Sequence, residues 1–243
     1  GKQAIDTKKI SGVGSAYLEA YSRELLSKYK YYHILKKYNM YKIDINDCKA
    51  LVDLYKDDNG IGVAFTDNPY YVLTEALGRG FEQSDKLILE NRPELENSEQ
   101  RCEALIISVL RRNEYDGSTR LCALDLYNYI KNEYNVPYLI PMLKDVSVKS
   151  DYIYYDEVSK DLSVMQTYLA ECKIASFVKS KLANSTKLDI DWKKYRSVNG
   201  FDMTDMQLEC LHNFCDYNIS ILAGVSGSGK TSGVENLVKL MED

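Results

Sequence analysis

Apolar side chains recur at three- and four-residue steps along most of this 243-residue chain, which predicts a mainly helical protein. The steps predict helical structure over about residues 17–55, with a break at Asn39–Tyr41, and further helices over 82–89 and 98–112. Polar residues that can accept a hydrogen bond from the first helical turn stand before several of these segments. The N-cap candidates are Asp44 or Asn46, Ser98 and Thr204.

Residues 117–160 have a different pattern. Two helices, near 123–134 and 137–144, precede two short apolar segments at Val146–Val148 and Tyr152–Tyr155. A turn at Lys149–Ser150 separates these segments, so they are predicted to form a β-hairpin. Helix, helix and hairpin is the order of a winged-helix unit. This stretch is not basic, which favours bracing of a neighbour over DNA binding. A long helix is then expected over 162–182.

Two short glycine turns each precede a predicted helical segment. Gly12 and Gly14 flank a valine, and Gly78 and Gly80 flank Arg79. In a helix-hairpin-helix motif such a turn presents backbone N–H groups to a DNA phosphate without reading the sequence. The candidate DNA contacts are therefore Gly12, Gly14, Gly78, Arg79 and Gly80. The alternative is a helix corner that needs glycine only for its backbone conformation.

The most specific pattern lies near the end of the chain. An apolar run, Ile219–Ala223, is predicted as a strand, and a helix is predicted over 232–241. Between them stands the pattern G-x-x-x-x-G-K-T of a phosphate-binding loop (Walker A pattern). The candidate nucleotide-binding residues of this loop are Gly224, Gly227, Ser228, Gly229, Lys230, Thr231 and Ser232.

The residue types of the loop suit a nucleotide phosphate. Glycines let backbone N–H groups curl around phosphate oxygens, and the following helix contributes the positive end of its dipole. Lys230 can reach the β- and γ-phosphates of ATP, and Thr231 can bind Mg²⁺ through its hydroxyl, so both are candidate catalytic residues. The alternative is a chance match in a Gly/Ser-rich loop.

Charge is unevenly distributed along the chain. The net charge is −5, but residues 1–50 contain ten Lys or Arg and five Asp or Glu, so they carry +5. This indicates a polyanionic partner at that end, or a solvated lysine-rich helix face. Some of the 21 tyrosines can stack on bases. The six cysteines include no C-x-x-C pair, which favours reduced thiols in a cytoplasmic protein over a zinc site.

The order of these motifs resembles the N-terminal part of RecD-like superfamily-one DNA helicases of the long bacterial and phage type. Gln207 stands 17 residues before Gly224, as in helicase motor domains that carry a glutamine helix before the phosphate loop. The other matching positions are Gly12–Gly14, Asn68–Tyr70, Gly78–Phe81, Ser84, Asp85, Arg101, Ala104, Gly117 and Tyr168–Ala175.

The resemblance implies that Gln207 recognises the adenine of ATP and that the loop binds its phosphates and Mg²⁺. It implies glycine hairpins that contact DNA or pack against the motor, and ATP-driven 5′-to-3′ movement on single-stranded DNA. Single-stranded or junction DNA and replication or recombination proteins are the partners expected, in a bacterial or phage-infected cell, with no membrane partner. Arg79 departs from the family pattern, which favours an apolar residue between the glycines.

Four regions are expected: a helical region with two glycine hairpins, a winged-helix-like unit, a connecting helix with a linker, and the truncated start of a phosphate-loop α/β motor. They span residues 1–116, 117–160, 161–200 and 201–243. Because the sequence ends twelve residues after Thr231, we expect a fragment without useful ATP hydrolysis of its own. Two alternatives remain: a non-catalytic DNA- or protein-binding helical module, and a different phosphate-loop ATPase of DNA replication.

Overall fold

A computed structural model describes residues 15–29, 31–183, 187–188, 191, 194, 196–198 and 200–242 of the chain. It divides into two units, Gly1–Met165 and Gln166–Asp243. The helices of the first unit are α1 Ser15–Tyr29, α2 Tyr32–Lys37, α3 Ile45–Tyr55, α4 Asp58–Asp67, α5 Pro69–Tyr71, α6 Phe81–Asn91, α7 Glu99–Tyr115, α8 Ala123–Glu133 and α9 Leu143–Lys149. Its strands are β1 Leu121–Cys122, β2 Ile153–Tyr155 and β3 Asp161–Val164.

Shorter helical turns join these elements. A π-helical turn, Val72–Ala76, continues α5. The 3-10 turns are Asn39–Tyr41, Pro93–Asn97 and Ile140–Met142. The mainly helical class predicted from the sequence is confirmed, with one small three-stranded sheet among the described residues of the first unit.

Side-chain caps account for the starts of α3 and α7. Asp44 caps α3 in a reciprocal capping box with Asp47, and the Ser98 hydroxyl accepts from the N–H of Arg101 at the start of α7. The sequence missed α4. Asp57 ends the preceding helical segment as expected, but its carboxylate accepts from the N–H of Gly60 at 2.8 Å and so starts a new helix at once.

The hairpin predicted at residues 146–155 is wrong in its first strand. Val146–Val148 lies in α9, where Val146 is buried, and β2 pairs instead with β3 in the antiparallel register Ile153↔Val164. The three strands lie in the order β1-β3-β2. The long helix expected from residue 162 accordingly begins only at Met165, after β3.

The elements follow one another in the order α7-β1-α8-α9-β2-β3, and β3 lies in the centre of the sheet, while the winged-helix unit stays a prediction. Helix α7 packs against α8, α9 and β3, and residues of all these elements belong to one hydrophobic cluster with those of α3 to α6. The boundary predicted at residue 116 therefore does not separate two hydrophobic cores, since a single core includes residues on both sides of it.

An ion pair that is largely buried joins α6 to α7. Arg101 donates from Nε and Nη2 to the two carboxylate oxygens of Asp85, each at 2.8 Å. The hydroxyl of Tyr70 in α5 donates to the same carboxylate at 2.6 Å, and a third Arg101 nitrogen donates to the Glu96 carbonyl at 2.8 Å. Burial and the hydrogen bond to Asp85 raise the pKa of Tyr70, so its proton stays on the phenol.

Two cysteines lie fully inside this core. Burial raises the pKa of the Cys48 thiol to about 11 and that of the Cys102 thiol to about 12. Both therefore stay protonated and unreactive at neutral pH.

The second unit contains helices α10 Met165–Ala183 (which begins at the last residue of the first unit), α11 Asp205–Asp216 and α12 Lys230–Glu242. Strands β4 Ser197–Val198 and β5 Phe201–Asp202 form a two-residue antiparallel pair. Helices α11 and α12 pack around Leu211 and Cys215. Thr204, a predicted N-cap, caps α11 in a capping box with Gln207.

We expect removal of the Asp85 carboxylate to destabilise the first unit severely. Asp85→Ala leaves a buried guanidinium unpaired, which costs about 3–5 kcal/mol. Tyr70→Phe removes one hydrogen bond to a charged group and costs about 1.5–3 kcal/mol. Urea unfolding followed by circular dichroism measures both values.

The neighbouring Ser84→Ala variant is the matched control. The Ser84 hydroxyl is buried and has no hydrogen-bond partner among the described residues, so its loss should leave the unfolding free energy unchanged or higher. Equal losses in Asp85→Ala and Ser84→Ala would show that the ion pair does not organise this region.

Candidate DNA-contact and nucleotide sites

The glycine hairpin of the first unit runs from Leu77 to Gly80, between the π-helical turn and α6. The N–H of Leu77 donates to the Val72 carbonyl and the N–H of Arg79 to the Leu73 carbonyl, each at 3.0 Å. Gly78 has φ +65°, a conformation that side-chain-bearing residues rarely adopt. These two hydrogen bonds and the positive φ fix a tight corner that leaves Gly78 and Gly80 exposed.

Gly80 is the N-cap of α6, and it offers no side chain to accept from the first turn. The opening N–H groups of an α-helix have no partner within the helix and carry the positive end of its dipole. Exposed glycines beside such a helix start allow the close approach of an anionic oxygen. The predicted DNA-contact glycines Gly78 and Gly80 thus lie together at one exposed corner.

The side chain of Arg79 points into the protein at this corner. It donates to the carbonyls of Tyr41 and Lys42 at 2.6 and 3.0 Å and pairs with Asp47 at 2.5 Å. Asp47 also accepts from the N–H of Asp44 in the capping box of α3. Arg79 therefore fastens the hairpin to the start of α3, and a direct Arg79–phosphate contact stays an untested prediction.

A cleft of about 390 Å³ adjoins the hairpin and includes side chains that the sequence did not single out. Thr74, Ser108 and Arg111 line it together with the hairpin residues. Arg111 pairs with Glu75 and Glu114, each at 3.1 Å, so its charge is largely compensated. Arg111 stands in the middle of a predicted helix, where no sequence signal separates it from an ordinary surface arginine.

The other predicted hairpin, Gly12 and Gly14, lies outside the described residues.

In the second unit, the segment before the predicted phosphate loop differs from the strand that the sequence predicts. Residues 219–223 form no strand, and Ile221 and Val225 are exposed. A β-strand is stabilised only by hydrogen bonds to a neighbour, and no described residue pairs with this run. On the other side of the loop the helix is confirmed, because α12 begins at Lys230.

The loop itself is curled in a way that depends on its glycines. Gly227 and Gly229 have φ +80° and +77°. A Cβ on Gly224 would lie 2.7 Å from the Ser228 hydroxyl, and one on Gly229 would lie 2.5 Å from the Gln207 amide nitrogen. Close backbone approach and left-handed glycines at a helix start are features of an anion-binding nest.

Two predicted nucleotide-binding side chains are engaged within the chain. The Lys230 ammonium donates to the carbonyls of Gly224 and Val225 at 2.7 and 2.6 Å. The Gln207 amide accepts from the N–H of Thr204 at 2.9 Å and donates to the Gly229 carbonyl at 3.1 Å. Gln207 thus joins the start of α11 to the loop, a contact across 22 positions that the sequence did not predict.

The remaining loop residues, Ser228, Thr231 and Ser232, are exposed. The structure brings the predicted nucleotide residues into one loop with Gln207 beside it. Within the described part of the chain, no three His, Cys, Asp or Glu side chains gather as a metal site. No helix in that part has the length and apolarity to cross a bilayer.

A family model relates the hairpin region to known helicases. Residues 27–120 match the model described as the ATP-dependent RecD2 DNA helicase HHH (helix-hairpin-helix) domain. The matched segment holds the hairpin, the Arg79 contacts and the Arg101–Asp85–Tyr70 network. It supports the relationship to RecD-like helicases and identifies a helix-hairpin-helix domain. The match does not extend to the phosphate loop.

A curated relative covers nearly the whole chain. An uncharacterised protein of Methanocaldococcus jannaschii is 25% identical over 281 aligned residues, which include 98% of this chain and 23% of that protein. The chain therefore spans about a quarter of the length of the curated relative it matches.

The loop geometry predicts unequal effects of two glycine substitutions. Gly227→Ala meets only backbone strain, because nothing lies within 4 Å of the added Cβ, and should cost about 1–2 kcal/mol. Gly229→Ala meets the same strain and also displaces Gln207 from the Gly229 carbonyl, so it should cost more. Hydrogen exchange of the α11 and α12 amides measures the difference. Equal effects would contradict a structural contact between Gln207 and the loop.

Proposed function

We propose that this chain is the N-terminal part of an ATP-dependent DNA helicase of the RecD-like type. The hairpin Leu77–Gly80 binds the DNA backbone, and the loop 224–231 binds ATP. The observation that carries the proposal is the exposed hairpin, with an uncapped helix start, inside the segment that matches a RecD2 helicase helix-hairpin-helix domain.

In this proposal the hairpin contacts DNA through its backbone. Gly78 and Gly80 leave room for a phosphate beside the first N–H groups of α6. The nearby arginines, Arg79 and Arg111, are paired with carboxylates, so they hold the hairpin in shape and add little net charge. Such contacts position single-stranded or junction DNA without regard to sequence.

The loop residues fit a nucleotide phosphate chain in their backbone shape. Left-handed Gly227 and Gly229 and the start of the 13-residue helix α12 would hold the phosphates. Lys230 would exchange its two carbonyl acceptors for phosphate oxygens, and Thr231 would hold Mg²⁺. Gln207 would have to release the Gly229 carbonyl before its amide meets an adenine. ATP bound with Mg²⁺ supplies the phosphoryl chemistry that drives 5′-to-3′ movement along DNA.

A second candidate is a non-catalytic DNA-binding module. The observation in its favour is the closed loop, in which Lys230 binds its own loop carbonyls and residues 219–223 form no strand. Replication or recombination proteins are proposed partners under either function.

The hairpin proposal predicts that Gly80→Asp weakens DNA binding without harming the fold. Gly80 has φ −61° and ψ 146°, and a Cβ there has only the Glu82 carboxylate near it, at 3.9 Å. Aspartate is a favourable N-cap, so α6 should be as stable or more stable. Its charge, however, stands where the phosphate must lie. Fluorescence anisotropy with a labelled oligonucleotide should show at least a tenfold loss of affinity at low salt.

Gly80→Ser is the matched control, because serine caps the helix equally well but carries no charge. It should bind DNA far more tightly than Gly80→Asp does, with a melting temperature equal to that of the wild type or higher. If Gly80→Asp binds DNA normally while it remains folded, the hairpin is not the phosphate contact.

The nucleotide proposal predicts DNA-stimulated ATP hydrolysis by the complete protein that carries this chain. Lys230→Ala removes the cation that stabilises charge on the transferred phosphoryl group and should abolish the activity. Hydrolysis is measured with and without single-stranded DNA. Activity indifferent to DNA would contradict the helicase function, and activity retained in Lys230→Ala would contradict the role of the loop. An inactive but DNA-binding wild type would favour the non-catalytic module.

A further inference from the structure

Helix α1 carries a row of exposed tyrosines that the hairpin and the phosphate loop do not use. Tyr17, Tyr21, Leu25 and Tyr29 follow one another at four-residue steps, so they lie along one side of the helix. The three tyrosines are 68%, 51% and 72% exposed. A helix in a globular protein ordinarily buries the apolar side that such spacing produces.

The row continues into α2. The ring of Tyr32, which is 60% exposed, lies parallel to that of Tyr29, with 1° between the planes and 6.2 Å between the centroids. We call Tyr17, Tyr21, Tyr29 and Tyr32 the tyrosine ladder. Other tyrosines of the same stretch behave differently, since Tyr31, Tyr38 and Tyr41 are buried in the core. Among the tyrosines of this stretch, the exposed rings are therefore those of α1 and of the first residue of α2.

The charge around the ladder is opposite in sign to that of the whole chain. Residues 15–42 contain six Lys or Arg and two Glu, a net charge of +4, in a protein of net charge −5. Lys36 and Lys37 are exposed one turn beyond Tyr32. Exposed flat rings among positive charges are the two components of a surface that binds single-stranded nucleic acid by stacking on bases and attracting phosphates.

We propose that the tyrosine ladder is a binding surface for single-stranded DNA. Unpaired bases stack on the tyrosine rings, and Lys36 and its neighbours neutralise the backbone. The proposal rests on the DNA-binding function proposed above but assigns a second contact, separate in sequence from the hairpin. Helix α1 has 15 residues and is about 22 Å long, so the ladder can follow several nucleotides. Stacking needs free base faces, so this surface distinguishes single strands from duplex.

The test compares the wild-type chain with Tyr17→Ala/Tyr21→Ala/Tyr29→Ala, using anisotropy of a labelled oligothymidine and of a labelled duplex. The triple alanine variant should bind the single strand at least tenfold more weakly and the duplex unchanged. Its affinity should retain the wild-type dependence on salt, because no phosphate contact is lost. Lys36→Ala should instead lower the slope of log K against log salt by about 0.7.

Two controls separate stacking from folding. Tyr17→Phe/Tyr21→Phe/Tyr29→Phe keeps the rings and should retain binding. Tyr115→Ala/Tyr138→Ala removes tyrosines that are equally exposed elsewhere in the first unit and should have no effect. Wild-type affinity in the triple alanine variant, or an equal loss in the phenylalanine variant, would overturn the proposal.

The Gly80→Asp variant distinguishes this inference from the function on which it rests. If Gly80→Asp weakens DNA binding and the ladder variants do not, the hairpin function stands and the ladder fails as a DNA surface. If the ladder variants alone weaken binding to the single strand, the ladder is supported and the hairpin contact fails. A wild-type chain that binds no DNA overturns both.

Discussion

The ion pair between Arg101 and Asp85 determines how the first unit presents its hairpin. Its guanidinium and carboxylate are almost withdrawn from water, a loss of hydration that two parallel hydrogen bonds at 2.8 Å must offset. The Tyr70 hydroxyl and the Glu96 carbonyl satisfy further hydrogen-bonding groups of the pair. Tyr70 precedes the hairpin and Asp85 follows it, so the hydrogen bond between them closes the segment that contains the hairpin. The exposed corner at Gly78 and Gly80 thus lies within a segment that is closed at both ends.

Arg79 adds a second constraint, and together the two arginines decide how this region can contact DNA. Both side chains point into the protein, where they compensate Asp85 and Asp47. The hairpin then offers a phosphate mainly N–H dipoles, which give a short-range and geometrically strict contact. Long-range attraction must come from elsewhere. The positive stretch of residues 15–42 is the part of the first unit suited to supply it.

The features that could be predicted from the sequence are those with local causes. The Asp44, Ser98 and Thr204 caps depend on hydrogen bonds across three residues, and all three are present. The strand predicted at Val146–Val148 is wrong because an apolar-polar-apolar triplet also fits the end of a helix. The residues that pair with β2 are themselves predicted to begin a helix. Arg79 was placed as a possible phosphate contact because its partner Asp47 stands 32 residues away.

The difference between local and long-range causes also applies to the predicted phosphate loop and the segments on either side of it. The left-handed glycines and the start of α12 follow from nearby residues and are present. The strand before the loop needs a neighbouring strand, and the described residues provide none, so 219–223 stays without regular structure. Lys230 and Gln207 are accordingly held by loop carbonyls. In the proposed nucleotide complex, a phosphate would replace those carbonyls at the ammonium, because its oxygens carry full charge whereas the carbonyls carry only dipoles. The local shape of the loop is thus what the nucleotide proposal rests on, since the described residues provide no strand beside it.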